Sequence, residues 1–181
     1  MTMRRRGVWV AIATGVALLS PIAVAHEASA VADGSVVASL GADLPWQTWG
    51  ACGMSTAKNK TIATFKRYGT VQTRLWCGER RWGFRHIEMR HAVDFENVAA
   101  GTNLAGNWRY MADYAIRNVL ANPAVKFYRL NNKYCYSRSL PVRDARTGQY
   151  LKWRTFQIVV DVSQNKIITA TPAGGHCRPL G

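Results

Sequence analysis

Acidic residues are scarce in this chain, 10 Asp and Glu against 24 Lys and Arg, so a cationic partner is a poor electrostatic match and an anionic one a good match. Long apolar runs are missing after the N-terminus, and no later stretch reads as a membrane anchor. No CxxC or HxxxH spacing occurs, which removes the usual sequence grounds for a zinc site. Neither a Gly-x-Ser-x-Gly elbow nor a pair of catalytic carboxylates is found, so serine-hydrolase and glycosidase chemistry lack their residues. Internal repeats and low-complexity tracts are absent too, which leaves one ordinary packed domain as the simplest organisation.

What is present begins with a leader. Arg4, Arg5 and Arg6 precede an apolar run from Val8 to Leu19, and small residues follow at Ala23-Val24-Ala25 and Ala28-Ser29-Ala30. That layout is a cleavable secretory signal, too short to span a bilayer. Residues 1–25 are therefore read as the signal, with cleavage after Ala30 as the other option, and the protein as secreted and extracellular. Residues 26–45 are small and weakly polar and read as a flexible extension. The packed region is expected from Trp46, giving a single domain over residues 46–181, and roughly 135 residues suffice to bury one core.

Setting aside the three signal arginines leaves 21 Lys and Arg against 10 acids, a net charge of +11. Such an excess attracts polyanions at long range: nucleic acid, cell-wall polymer or anionic lipid. Cys52, Cys77, Cys135 and Cys177 make an even number, which in an exported chain points to two disulfides. Of the three pairings, Cys52–Cys77 with Cys135–Cys177 ties neighbouring elements and is favoured.

Alternating β-prone runs at Thr61–Phe65 and Val71–Trp76 flank Tyr68-Gly69-Thr70 and predict a hairpin. From Phe84 to Val98 the chain has no Gly or Pro, and Phe84, Ile87, Met89, Val93 and Phe95 recur loosely at helical spacing. A second helix is expected to be capped by Asn107 and to carry the apolar stripe Trp108, Met111, Ala112, Ala115, Ile116, Val119 and Leu120, stopping at Asn122-Pro123. Strands follow at Val125–Leu130, Tyr134–Leu140, Tyr150–Val162 and Lys166–Thr171, joined at Asn131-Asn132, at the polar loop Asp144–Gln149 and at Ser163–Asn165. The fold class is α+β, two helices packed on one face of a twisted antiparallel β-sheet.

The residues that invite chemistry are His86 and His91, set among Arg85, Arg90 and aromatic side chains. Imidazole exchanges protons near neutral pH, so two of them in a cationic protein suggest acid/base work on an anionic ester. Five positions apart on an ideal helix they diverge by about 140°; they converge only if His86 lies at the first turn, where Gly83 frees the backbone. On the last strand, alternation puts Ile167, Thr169 and Thr171 on one face and Ile168 and Ala170 on the other. Two hydroxyls on one face suit a phosphate, although threonine is also simply a good strand former. His26 lies at the cleavage junction, and His176 stands by as a substitute should His86 be buried.

Gly83-Phe84-Arg85-His86-Ile87 with Arg90-His91 resembles the helix motif of polymorphic bacterial toxin nucleases of the barnase-, EndoU- and colicin-type ribonuclease group. Ile167-Ile168-Thr169-Ala170-Thr171-Pro172 resembles their closing strand, usually Thr-Ala-Tyr-Pro, with Thr171 in the tyrosine's place. The resemblance implies a metal-independent endoribonuclease needing no cofactor. His86 and His91 would serve as base and acid, in either order, and Thr169 with Arg85 or Arg90 would hold the phosphate, with Thr171 beside it. It also implies RNA as partner, single-stranded or tRNA, 2′,3′-cyclic phosphate products and an inhibitor protein in the producer; the protein itself is expected to be a monomer. The other reading is a non-catalytic secreted module that holds nucleic acid or another polyanion on Trp82, Trp108, Trp153, Tyr134 and Tyr136.

Overall fold

The computed structural model describes residues 52–104 and 108–179. The signal, the extension, Trp46 and the Asn107 cap lie outside the described residues. The elements are β1 (Thr61–Arg67), β2 (Val71–Trp76), α1 (Phe84–Ala99), α2 (Trp108–Ala121), β3 (Val125–Tyr128), β4 (Lys133–Arg143), β5 (Tyr150–Asp161) and β6 (Lys166–Ala173). The fold is α+β. Its sheet has six strands in the order β1-β2-β6-β5-β4-β3.

Local chemistry sets most of these elements. Tyr68 and Gly69 take positive φ (51° and 77°) and close the β1–β2 hairpin, while Asn131 and Asn132, both left-handed, close β3–β4. The α2 stripe buries Met111, Ala112, Ala115, Ile116, Val119 and Leu120 as its 3.6-residue period requires. In α1 the buried residues are Phe84, Ile87, Phe95, Val98 and Ala99. Met89 and Val93, expected on that stripe, are 52% and 72% exposed; five and nine positions after Phe84 they fall on the opposite side of the helix.

The sheet departs from a purely antiparallel one at a single seam. β2 and β6 run parallel, meeting at Arg74 and Lys166, because the two helices carry the chain to the far edge and β3 to β6 return as a meander. All other neighbouring strands are antiparallel. Phe65, Leu75, Tyr136, Phe156, Ile158, Val160, Ile167 and Ala170 face the helices and join their apolar residues in one core, where Phe95 stacks on Phe156 with centroids 6.1 Å apart.

Both favoured disulfides are present, Cys52–Cys77 and Cys135–Cys177, with Cα separations of 5.4 and 6.0 Å. Each contributes about 2 to 4 kcal/mol. The second lies on the sheet face away from the helices, where the backbone N–H of Cys177 donates to Ser137 Oγ and Gln157 donates to the Gly175 carbonyl.

Candidate active site

The site is built at the turn that leads into α1. Cys77 is tied to Cys52, and Gly78 and Gly83 press together: a Cβ on Gly78 would lie 2.0 Å from the Trp82 carbonyl oxygen, and one on Gly83 2.7 Å from that of Trp76. Both glycines have positive φ, so no other residue suits either position. The Gly83 N–H donates to the Ile168 carbonyl at 2.9 Å, docking the start of the helix on β6. Arg85 then closes the turn. Its guanidinium donates to the carbonyls of Gly78, Gly53 and Thr56, each at 2.7 Å. The side chain expected to hold substrate is a strut between two loops, with both of its terminal nitrogens engaged.

His86 and His91 come together. Their ring centroids are 5.5 Å apart and their planes are inclined at 74°, edge to face. His86 lies in the first helical turn, and its Nδ1 is 2.8 Å from the Arg80 carbonyl in the preceding loop. A carbonyl only accepts, so this nitrogen carries the proton and Nε2 of the neutral ring is a free base. His91 lies between Ile87 and Phe95, one turn away on each side and both fully buried, so it emerges at the seam between helix and sheet. Its Nδ1 donates to Asp94 Oδ2 at 3.1 Å, which again leaves Nε2 open. Neither Nε2 has a hydrogen-bond partner among the described residues. The Asp94 carboxylate is half exposed and the His91 side chain 22% exposed, so their pairing matters more for orientation than for stability.

Beside this pair a polar pocket of about 260 Å³ is lined by Asp94, Asn97, Arg154, Pro172, Ala173 and Gly174. Asp94 is therefore shared between His91 and the pocket. Arg154 comes from β5, opposite Leu140, and has no hydrogen-bond or ion-pair partner among the described residues. Arg90, on α1, is exposed. Together the two arginines put free guanidinium groups on the helix-bearing side of the sheet.

The strand threonines are elsewhere. β5 and β6 pair Val160 with Ile167 and Val159 with Thr169, so Ile168 is an extra, bulged residue and the alternation slips by one. Ile167 and Ala170 both enter the core, while Thr169 and Thr171 face away from the helices, and the expected grouping of Ile167 with the threonines does not occur. Thr169 Oγ1 is out of solvent with no partner, and Thr171 Oγ1 donates to the Pro172 carbonyl at 2.9 Å. The two hydroxyls do not join the histidines. His176 is also on that far face, its Nδ1 3.1 Å from Ser137 Oγ; with His86 only part-buried, no substitute is needed. His26 is outside the described residues.

Among the aromatic residues of the binding-module reading, Tyr136 is fully buried and Trp108 stacks on Phe84 at 5.8 Å. Trp82 donates to Glu79 and lies under Lys166, whose Nζ is 4.5 Å from the ring centroid. Trp153 is 62% exposed. No group of three or more His, Cys, Asp or Glu side chains forms a ligand set for a metal ion among the described residues.

No protein-family pattern matches the chain. Over 112 residues it is 34% identical to an uncharacterized protein of Mycobacterium tuberculosis, matched in strain CDC 1551 / Oshkosh and in strain H37Rv. The aligned stretch covers 61% of this chain and 40% of the mycobacterial protein. The chain thus spans less than half the length of the curated relatives it matches.

Sequence reasoning missed three residues of the site. Asp94 was visible in principle, since His91-x-x-Asp94 is a helical i, i+3 pair, and Asn97 continues that face one turn on. Arg154 carried no local signal; only the sheet register brings it to the pocket.

Proposed function

We propose that the protein is a metal-independent endoribonuclease whose general base and general acid are His86 and His91. The observation that carries this reading is the pair of imidazoles 5.5 Å apart, each fixed through Nδ1 and open at Nε2. One neutral and one protonated ring side by side are what a transesterification at phosphorus needs: one removes the 2′-hydroxyl proton and the other supplies a proton to the departing 5′-oxygen. We take His86, whose Nδ1 is held by a main-chain carbonyl, as the base and His91, oriented by Asp94, as the acid. The Arg80 carbonyl and Asp94 accept from Nδ1 in either protonation state, so neither ring turns as the proton moves. Arg90 and Arg154 take the place first given to Arg85, Thr169 and Thr171, meeting the charge on the non-bridging oxygens. The 2′-oxygen to phosphorus bond forms as the phosphorus to 5′-oxygen bond breaks, giving a 2′,3′-cyclic phosphate and a 5′-hydroxyl.

Export belongs to the same proposal. Two disulfides suit an oxidising compartment, and among the described residues no helix is long and apolar enough to cross a membrane.

The test is total RNA incubated with the mature protein in EDTA, with end-group analysis of the fragments. Cleavage leaving cyclic phosphates, reduced about 10²- to 10⁴-fold in either His86→Ala or His91→Ala, and no cleavage of DNA, is the expected result. Binding without cleavage by the unaltered protein would leave only the polyanion-binding module.

A further inference from the structure

A second surface of the molecule carries a row of aromatic rings that starts in the core at Tyr136 and runs out to solvent. β3 and β4 pair Lys126 with Tyr136 and Tyr128 with Tyr134, so these four side chains share one face at the sheet's edge. Tyr68, held at the β1–β2 turn by its N–H to the Leu120 carbonyl, adds a fifth. The rings run in series: Tyr128 to Tyr134 at 5.2 Å, Tyr134 to Tyr136 at 6.4 Å, Tyr136 to Tyr68 at 5.9 Å. Tyr136 is the buried floor, fastened by the Arg67 guanidinium, which also holds Asn165. Tyr128 and Tyr68 stand above it, 55% and 47% exposed. The Lys126 ammonium sits 4.5 Å from the Tyr134 centroid and 5.8 Å from that of Tyr68, and an open groove of about 680 Å³ follows the edge strand, lined by Lys126, Phe127, Tyr128, Arg129, Leu130 and Pro179.

The geometry points to a binding subsite for unpaired bases of single-stranded RNA on Tyr128 and Tyr68, with Lys126 meeting the phosphate between them. It rests on RNA being the substrate and shares no residue with the histidine site. Three features select this ligand. Flat, exposed phenol faces accept any base by stacking, without reading its edge. A cation set among the rings matches a polymer that alternates planar groups with negative charge, whereas a neutral glycan would leave Lys126 without a counterpart. The floor is rigid, since Tyr136 is buried and hydrogen-bonded, so the rings above it are already ordered before a ligand arrives. Burial first, and Tyr136 next, hold the Tyr68 hydroxyl above the usual tyrosine range, which keeps that ring uncharged.

The experiment uses the full chain carrying His86→Ala and His91→Ala, so that RNA survives, and follows the anisotropy of a labelled 12-nucleotide oligoadenylate against a duplex of equal length. Tyr128→Leu should weaken single-strand binding about tenfold, the cost of losing one stacked base, and Tyr128→Trp should restore it. Lys126→Gln should lower the salt dependence by about one ion. Duplex binding should not change in any of them. Tyr128→Leu and Lys126→Gln proteins that bind the oligonucleotide within about twofold of their parent, with unaltered circular dichroism, overturn the subsite. So does a Tyr128→Leu protein that loses affinity for peptidoglycan fragments and keeps it for RNA. The two readings fail separately: an unaltered protein that does not cleave RNA, beside platform variants that lose oligonucleotide binding, ends the ribonuclease and keeps the platform.

Discussion

Replacing Arg85 with alanine separates a structural role from a substrate contact at a position where the motif alone suggests the latter. The guanidinium donates to three main-chain carbonyls at 2.7 Å. A hydrogen bond from a charged donor is worth about 1.5 to 3 kcal/mol net, but the Gly53 carbonyl is solvent-exposed and water replaces that partner at little cost. The Gly78 carbonyl belongs to a buried residue and the Thr56 bond is part-buried, so these two carry most of the effect. Cys52–Cys77 still ties the loop covalently in the variant, which limits how far the turn can open. The sum is a loss of about 3 kcal/mol, discounted for the exposed bond, and for a domain of this size a Tm lower by about 10 °C. Thermal unfolding by circular dichroism measures it. Oligonucleotide affinity well below the transition should change by less than about twofold. An Arg85→Ala protein that melts within about 2 °C of the parent yet loses RNA affinity would refute the reasoning and return Arg85 to the phosphate.

Two further outcomes test the far face of the sheet and the acid limb. Thr169→Val removes a buried hydroxyl that has no partner, so it should raise stability by about 1 kcal/mol in chemical denaturation and leave RNA cleavage unchanged; a loss of cleavage would put Thr169 back in the chemistry. At Asp144, the Thr147 N–H first, then that of Arg146 and the Asn103 amide, hold the carboxyl below the usual aspartate range. A lowered folded-state value means stability that is present above the ordinary aspartate pKa and lost as pH falls through the folded one. The Tm difference between the parent and Asp144→Asn should therefore be constant near neutrality and shrink in acid; a difference that grows on acidification would contradict the assignment.

Local signals carried most of the fold. The α2 stripe and the Tyr68-Gly69 and Asn131-Asn132 turns are short-range, the even cysteine count is compositional, and each is found as its chemistry dictates. Non-local features were invisible. Nothing near Arg74 announces that Lys166 will lie beside it, and nothing in Lys166–Thr171 announces a bulge at Ile168, because a single unpaired residue leaves no mark in an alternating run. That one residue moved two threonines to the wrong side of the sheet for the chemistry expected of them. The histidines met for a reason that spacing alone hides: the Arg80 carbonyl draws His86 back over the turn, while His91 sits at a gap in an otherwise buried stripe. Arg85 looked like a ligand for anions because the loop carbonyls that occupy it are 7, 29 and 32 residues away.

The parallel seam between β2 and β6 has a bearing on how this molecule comes into being. The early hairpin and the helix behind it have no neighbour on their inner edge until the last strand arrives, and the amide that anchors the helix start, Gly83 N–H, waits for the Ile168 carbonyl. A ribosome that has not yet reached Lys166 holds a chain whose two imidazoles lack their platform. Until β6 has been made, the helix start and the inner edge of the hairpin both lack the strand that completes them.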